Sequence, residues 1–155
     1  MSVIGKRTIY VGPADGSNHK PLNVEGLAVA ATAPGTIVES VAAGLQINAA
    51  AATLFGQELM VADKDQMRSK SVDDSWTIAE NMVAIKPRSG EFINVFVAAG
   101  NNLTARGVPL SLDGSGMLKI AVTPAVVGAT SEQVLAYSDE IVNVAADALT
   151  RVRVA

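Results

Sequence analysis

The chain has 155 residues, with 12 Lys and Arg against 15 Asp and Glu, a lone His and no Cys. This length fits one compact domain of the usual size, about 100–150 residues, and the absent cysteines exclude a disulfide framework, thiolate zinc and thiol catalysis. The net charge of −3 is spread evenly along the chain, which argues against nucleic acid as a direct partner, because phosphates are neutralised by clustered Lys and Arg.

In chain order, Val3 to Val11 predicts a strand that ends at Gly12-Pro13. The following GPADGSNHKP (Gly12 to Pro21) is turn chemistry throughout. Residues 1–21 therefore read as an N-terminal arm or first hairpin, with an ordinary edge strand plus loop as the alternative. Residues 22–155 read as the β-rich body. Leu27 to Ala31, Thr36 to Val38 and Leu45 to Ile47 carry strand patterns, with Pro34-Gly35 as a turn. The run NAAAATLF (Asn48 to Phe55) predicts a two-turn helix, capped by Asn48 and ended by Gly56.

Glu58 to Ala62 is followed by a polar hinge, Asp63 to Ser75, and then by Trp76 to Ala79 and Met82 to Ile85. Glu91 to Val97 (EFINVFV) is the clearest strand. Phe92 and Phe96 share one of its faces, expected to be the core. Leu103 to Leu112 and Met117 to Val122 flank Asp113-Gly-Ser-Gly116, the strongest hairpin signal. Gln133 to Tyr137 and Thr150 to Val154 read as closing strands, and Asp139 to Leu149 as a short helical turn or an irregular crossing. Short strands at about ten-residue spacing predict a mainly β, single-domain β-sandwich or β-barrel, tulip-like or jelly-roll-like, with one or two short helices.

Catalytic chemistry is thin. His19 has no Gly-x-Ser-x-Gly elbow to serve, and zinc needs three or four ligands. The carboxylate pairs Asp63/Asp65, Asp73/Asp74 and Asp139/Glu140 lack the spacing of a calcium loop and the aromatic platforms of a glycosidase. Gly114-Ser-Gly116 fits a hairpin tip better than a phosphate loop. No catalytic residue, cofactor or metal is expected. No stretch reaches the about 20 apolar residues of a membrane span. Lys6-Arg7 precedes any apolar run long enough for a signal peptide, so synthesis in the cytoplasm is expected.

The apolar residues are mostly small, with 25 Ala and 20 Val, and only 17% of the chain is charged. Such a surface suits contact with protein, or is simply neutral.

Several segments carry a family resemblance. They are Leu59 to Asp65 (LMVADKD), Val72 to Val83 (VDDSWTIAENMV), Phe92 to Gly107 (FINVFVAAGNNLTARG), Leu110 to Leu118 (LSLDGSGML), Val134 to Tyr137 and Arg151 to Val154. Their order resembles that of the small capsid decoration, or cement, proteins of tailed bacteriophages. The resemblance implies a virion protein on the outside of the head, made in the host cytoplasm, that binds across neighbouring major capsid subunits and stabilises the expanded shell. It also implies self-association, with a homotrimer favoured and a homodimer possible. An N-terminal arm adding a strand to a capsid edge would use Val3, Ile4, Lys6, Arg7, Ile9, Tyr10 and Val11. Removing residues 1–11 is then expected to leave a folded protein that binds weakly. A tail- or fibre-associated β domain that binds a receptor, or a small β-rich enzyme, are the alternatives.

Overall fold

The structure is a computed structural model that describes residues 6–13, 20–122 and 130–155. In chain order the strands are β1 (Tyr10–Gly12), β2 (Leu22–Leu27), β3 (Val38–Val41), β4 (Gly44–Ile47), β5 (Val61–Ala62), β6 (Asn81–Lys86) and β7 (Phe92–Val97). They continue with β8 (Asn101–Leu103), β9 (Pro109–Leu112), β10 (Leu118–Ile120), β11 (Ala136–Ser138), β12 (Val142–Val144) and β13 (Ala148–Val154). The fold is mainly β, and the barrel is the form it takes.

Strands β7, β10, β9, β11 and β13 bond in that order, and β13 returns to β7 to close a five-stranded barrel. The β7–β13 seam is antiparallel from Ala148↔Val97 to Arg153↔Phe92. Asp113 to Gly116 forms the predicted hairpin tip between β9 and β10, and the Asp113 N–H donates to the Met117 carbonyl at 3.0 Å. The two-residue side-chain period sends Ile93, Val95 and Val97 of β7 inward, with Leu110, Leu112, Leu118, Val152 and Val154.

Phe92 and Phe96 do share a face of β7, but it is the outer one, and both are half-buried. Their expected place in the core is thus corrected. Eight strands enclose a space just wide enough for side chains, so a five-stranded interior is narrower still and is filled here by Val, Leu and Ile. The crossing segment Pro34 to Thr36 is itself buried and lies over this outer face. Gly35 is required there: a Cβ would sit 2.2 Å from Leu149 Cδ2, and its φ is +95°.

A second, smaller sheet, β2–β6–β5, joins the β3–β4 hairpin beside the barrel. Its own cluster surrounds the fully buried Trp76, with Ala28, Val38, Leu45, Met60, Ala62, Met82 and Ala84. Val61 and Ile85, from the same strands, belong to the barrel cluster instead. One sheet therefore serves two cores, which ties both layers into one β-rich body.

Neither the helix predicted at 48–55 nor the helical alternative for 139–149 is formed. Residues 48–55 are a looped series of turns, in which Asn48 Oδ1 accepts from the Ala50 N–H at 2.9 Å and Asn48 Nδ2 donates to Gln57 Oε1 at 3.1 Å. Most of the run is exposed, so no packing offsets the cost of nucleating two turns. Residues 139–149 instead contain β12, paired with β8, and the start of β13. The predicted strand over 103–112 is broken by a turn at Ala105 to Gly107 between β8 and β9. Among the described residues the helical content is one 3-10 turn, Gln66–Arg68, inside the polar hinge.

Candidate functional site

Two surface regions bring the candidate side chains together, and the first is the N-terminal segment. Of the seven candidate arm residues, Val3 and Ile4 lie outside the described residues. The other five are divided between fold and surface. Ile9 is fully buried in the barrel cluster, and Tyr10 pairs with Ile93 in β1–β7. The Tyr10 hydroxyl donates to Glu91 Oε1 at 3.1 Å, and Lys6 is ion-paired with Glu140. Arg7 and Val11 face outward. Deleting residues 1–11 would therefore remove the buried Ile9 side chain and most of β1, which counts against the expectation that such a truncation stays folded.

The segment is held by one edge of β7. Three alternate N–H groups of this edge meet three different parts of the chain: Asn94 donates to Ile9 O at 2.7 Å, Phe96 to Gly35 O at 3.0 Å, and Ala98 to Leu118 O at 2.9 Å. Asn94 adds a side-chain bond from Nδ2 to Thr8 O at 2.7 Å. A polar residue in the middle of an apolar strand was the available signal for this anchor.

The second region is an open cleft of about 580 Å3 between Arg7 and the hinge Lys64 to Asp73. Lys64 Nζ bridges it by donating to Arg7 O at 2.8 Å. Lys70 pairs with Glu80 at 3.0 Å, donates to Ser75 O at 3.1 Å, and stands 5.0 Å from the Trp76 ring centroid. The Trp76 indole N–H donates to Asp63 O at 2.9 Å, so the ring fixes the start of the hinge from within.

The acidic residues of the hinge mostly serve its own shape. Asp65 accepts from the Met67 N–H at 3.0 Å and pairs with Arg68 at 3.3 Å. Asp74 accepts from the Ser71 N–H and hydroxyl, which hold its carboxyl below the usual range. Burial pushes the Asp63 carboxyl up, against the pull of the Lys64 N–H and charge. Across the molecule, Glu132 gathers Lys119 Nζ at 2.6 Å, the Val122 N–H at 2.7 Å and the Ser111 hydroxyl at 2.9 Å.

His19 lies outside the described residues. Among the described residues no three His, Asp or Glu side chains gather as a metal site, and no helix is long and apolar enough to cross a membrane. Asp65 and Asp74 are bonded within the hinge by the Met67 N–H, Arg68 and Ser71, an arrangement suited to fixing a loop. No protein-family model matches this chain, and no curated protein matches it.

Proposed function

We propose that this protein is a structural component of a tailed-phage virion. It decorates the outer surface of the capsid, binds across neighbouring major capsid subunits, and stabilises the expanded head. The resemblance of residues 27–155 to capsid decoration proteins motivates the reading. One structural observation carries it furthest: Leu22, Phe55, Met67, Ile78 and Ile141 are each between 61% and 98% exposed. Large apolar side chains held outward on a β scaffold, in a chain with few charges, suit a protein that covers another protein.

The mechanism follows from linkage. A protein that binds the expanded shell more tightly than its precursor shifts the population toward the expanded form by that difference in affinity. Each contact can be weak, because a symmetric shell repeats it and self-association links several contacts. Arg7, before β1, and Val11, within it, face outward and are the described arm residues free to take part. The strand itself is committed to β7.

Co-sedimentation of the purified protein with expanded and unexpanded phage heads tests the proposal. Saturable binding to expanded heads, at least tenfold weaker on unexpanded ones, is the expected result. Equal binding, or none to either, would remove the reading.

A further inference from the structure

A row of side chains crosses the outer face of the barrel, away from the arm and the hinge. Register places Phe92 of β7 opposite Arg153 of β13, Arg153 opposite Tyr137 of β11, and Tyr137 opposite Pro109 of β9. Their side chains stand on the same outward face, since the alternate positions Val152 and Val154 point into the core. The Arg153 guanidinium lies over the Tyr137 ring, 5.6 Å from its centroid. A stacked guanidinium keeps its in-plane N–H donors free for a carboxylate.

Beside this row, Phe92, Arg106, Gly107, Asp139 and Arg153 line a shallow cleft of about 270 Å3. Arg106 sits on a turn that Ser138 fixes almost completely. The Ser138 hydroxyl donates to Ala105 O at 2.8 Å and accepts from the Val108 N–H at 3.0 Å. The Ser138 carbonyl accepts from the Gly107 N–H at 2.7 Å, and the Ser138 N–H donates to Val108 O at 2.9 Å. Gly107 takes a φ of +84°, which suits glycine at this bend.

The charges of the cleft do not cancel. Asp139 is taken by Arg151, whose Nε lies 2.5 Å from Oδ2. Glu140, on the same side, accepts from Lys6 and from the Arg151 N–H at 3.0 Å. Among the described residues neither Arg106 nor Arg153 has a carboxylate partner. Two exposed guanidinium groups, one stacked on Tyr137 and the other on a turn fixed by Ser138, line the cleft together with Phe92 and have the composition of an interface hot spot with an acidic counterpart.

From this arrangement we infer that the Arg106–Arg153 cleft is a docking site for an acidic segment of a partner protein. A carboxylate side chain sits between the guanidinium groups, and an adjoining apolar side chain packs against Phe92 and Tyr137. The fixed turn and the stacked arginine lower the ordering cost of binding. The inference stands whether or not the partner is a capsid subunit.

The test is an amide-resolved NMR titration of the full chain with a blocked hexapeptide of four glutamates and two leucines, and with its glutamine counterpart. Saturable shifts at Phe92, Gly107, Tyr137 and Arg153 are expected with the glutamate peptide alone. The double variant Arg106→Gln with Arg153→Gln should weaken binding at least tenfold, and Arg106→Gln alone at least threefold. A charge-matched variant, Lys20→Gln with Lys86→Gln, should bind as the wild type does. Shifts centred on the Arg7–Lys70 cleft, equal binding of the glutamine peptide, or equal weakening by the charge-matched variant would each overturn the assignment. So would light scattering in which the double arginine variant alone turns an oligomer into monomers, because the occupant would then be a second copy of this chain.

Discussion

Asn94 holds Thr8 by a 2.7 Å bond from its side-chain amide to the Thr8 carbonyl, at a position only 3% exposed. Its backbone N–H takes the next carbonyl, Ile9 O, so one residue secures two successive carbonyls of the N-terminal segment. Asn94 Oδ1 has no hydrogen-bond partner among the described residues.

Asn94→Ala should destabilise the protein by about 0.5–1.5 kcal/mol, the net worth of the lost bond to the carbonyl of half-buried Thr8. Amide exchange at Tyr10 to Gly12 should quicken more than exchange in β13. Asn94→Asp should be worse at neutral pH, since a buried carboxylate would face the Thr8 carbonyl, and acid should partly relieve it. Urea unfolding with hydrogen exchange checks all three outcomes. Equal quickening in β1 and β13 would show that Asn94 acts on the whole barrel rather than on this segment.

Among the described glycines, Gly44 is the least replaceable for a steric reason. A Cβ there would lie 2.1 Å from the Leu27 carbonyl oxygen, and its φ is +137°. The obstacle is backbone, which cannot rotate away. Gly44→Ala should lower stability by at least about 2 kcal/mol. Gly114→Ala, where φ is +90° and nothing lies within 4 Å, should cost only about 1 kcal/mol. Comparison of the two urea midpoints measures the difference.

Asp63 should make the protein less stable as pH rises. Burial raises its carboxyl in the folded state, so folding favours the protonated form. Its favourable contribution is complete below the unfolded value, about 3.9, and is lost as pH rises through the raised folded value. Asp63→Asn should stabilise at neutral pH and match the wild type near pH 3. Thermal melts across this range check the sign.

Glu132 should act in the opposite direction. Burial would raise its carboxyl, but Lys119, the Val122 N–H and the Ser111 hydroxyl outweigh it and hold it below the usual range. Its stabilisation is present above the unfolded value, about 4.3, and fades as pH falls through the lowered folded value. Glu132→Gln should lower the melting temperature at pH 7 and converge with the wild type in acid.

The sequence was most readable where local chemistry and tertiary pairing agree. The strand at β7, the Asp113 to Gly116 tip and the alternation of Arg151-Val-Arg-Val all recur in the fold. Residues 48–55 misled because alanine favours a helix only when some packing or length supports it. Here Asn48 and Gln133 hold a loop instead, with the Gln133 side chain donating to Gln57 O and accepting from the Gln57 N–H. Phe92 and Phe96 misled because period two fixes which residues share a face, not which face is inside. The Arg106–Arg153 cleft joins positions far apart in the chain and depends on cross-strand register, which strand patterns alone do not specify.

The shared edge of β7 has a kinetic consequence. Its partners are Ile9, Gly35 and Leu118 on one side, and β13 on the other. A central strand whose neighbours are so distant along the chain makes assembly a high-contact-order process, slow by the standards of domains this size. While the polypeptide is emerging from the ribosome, β7 waits with an unzipped flank until residues 148–154 appear. Codon pacing or chaperone cover over that interval should thus govern soluble yield more than substitutions on the finished surface.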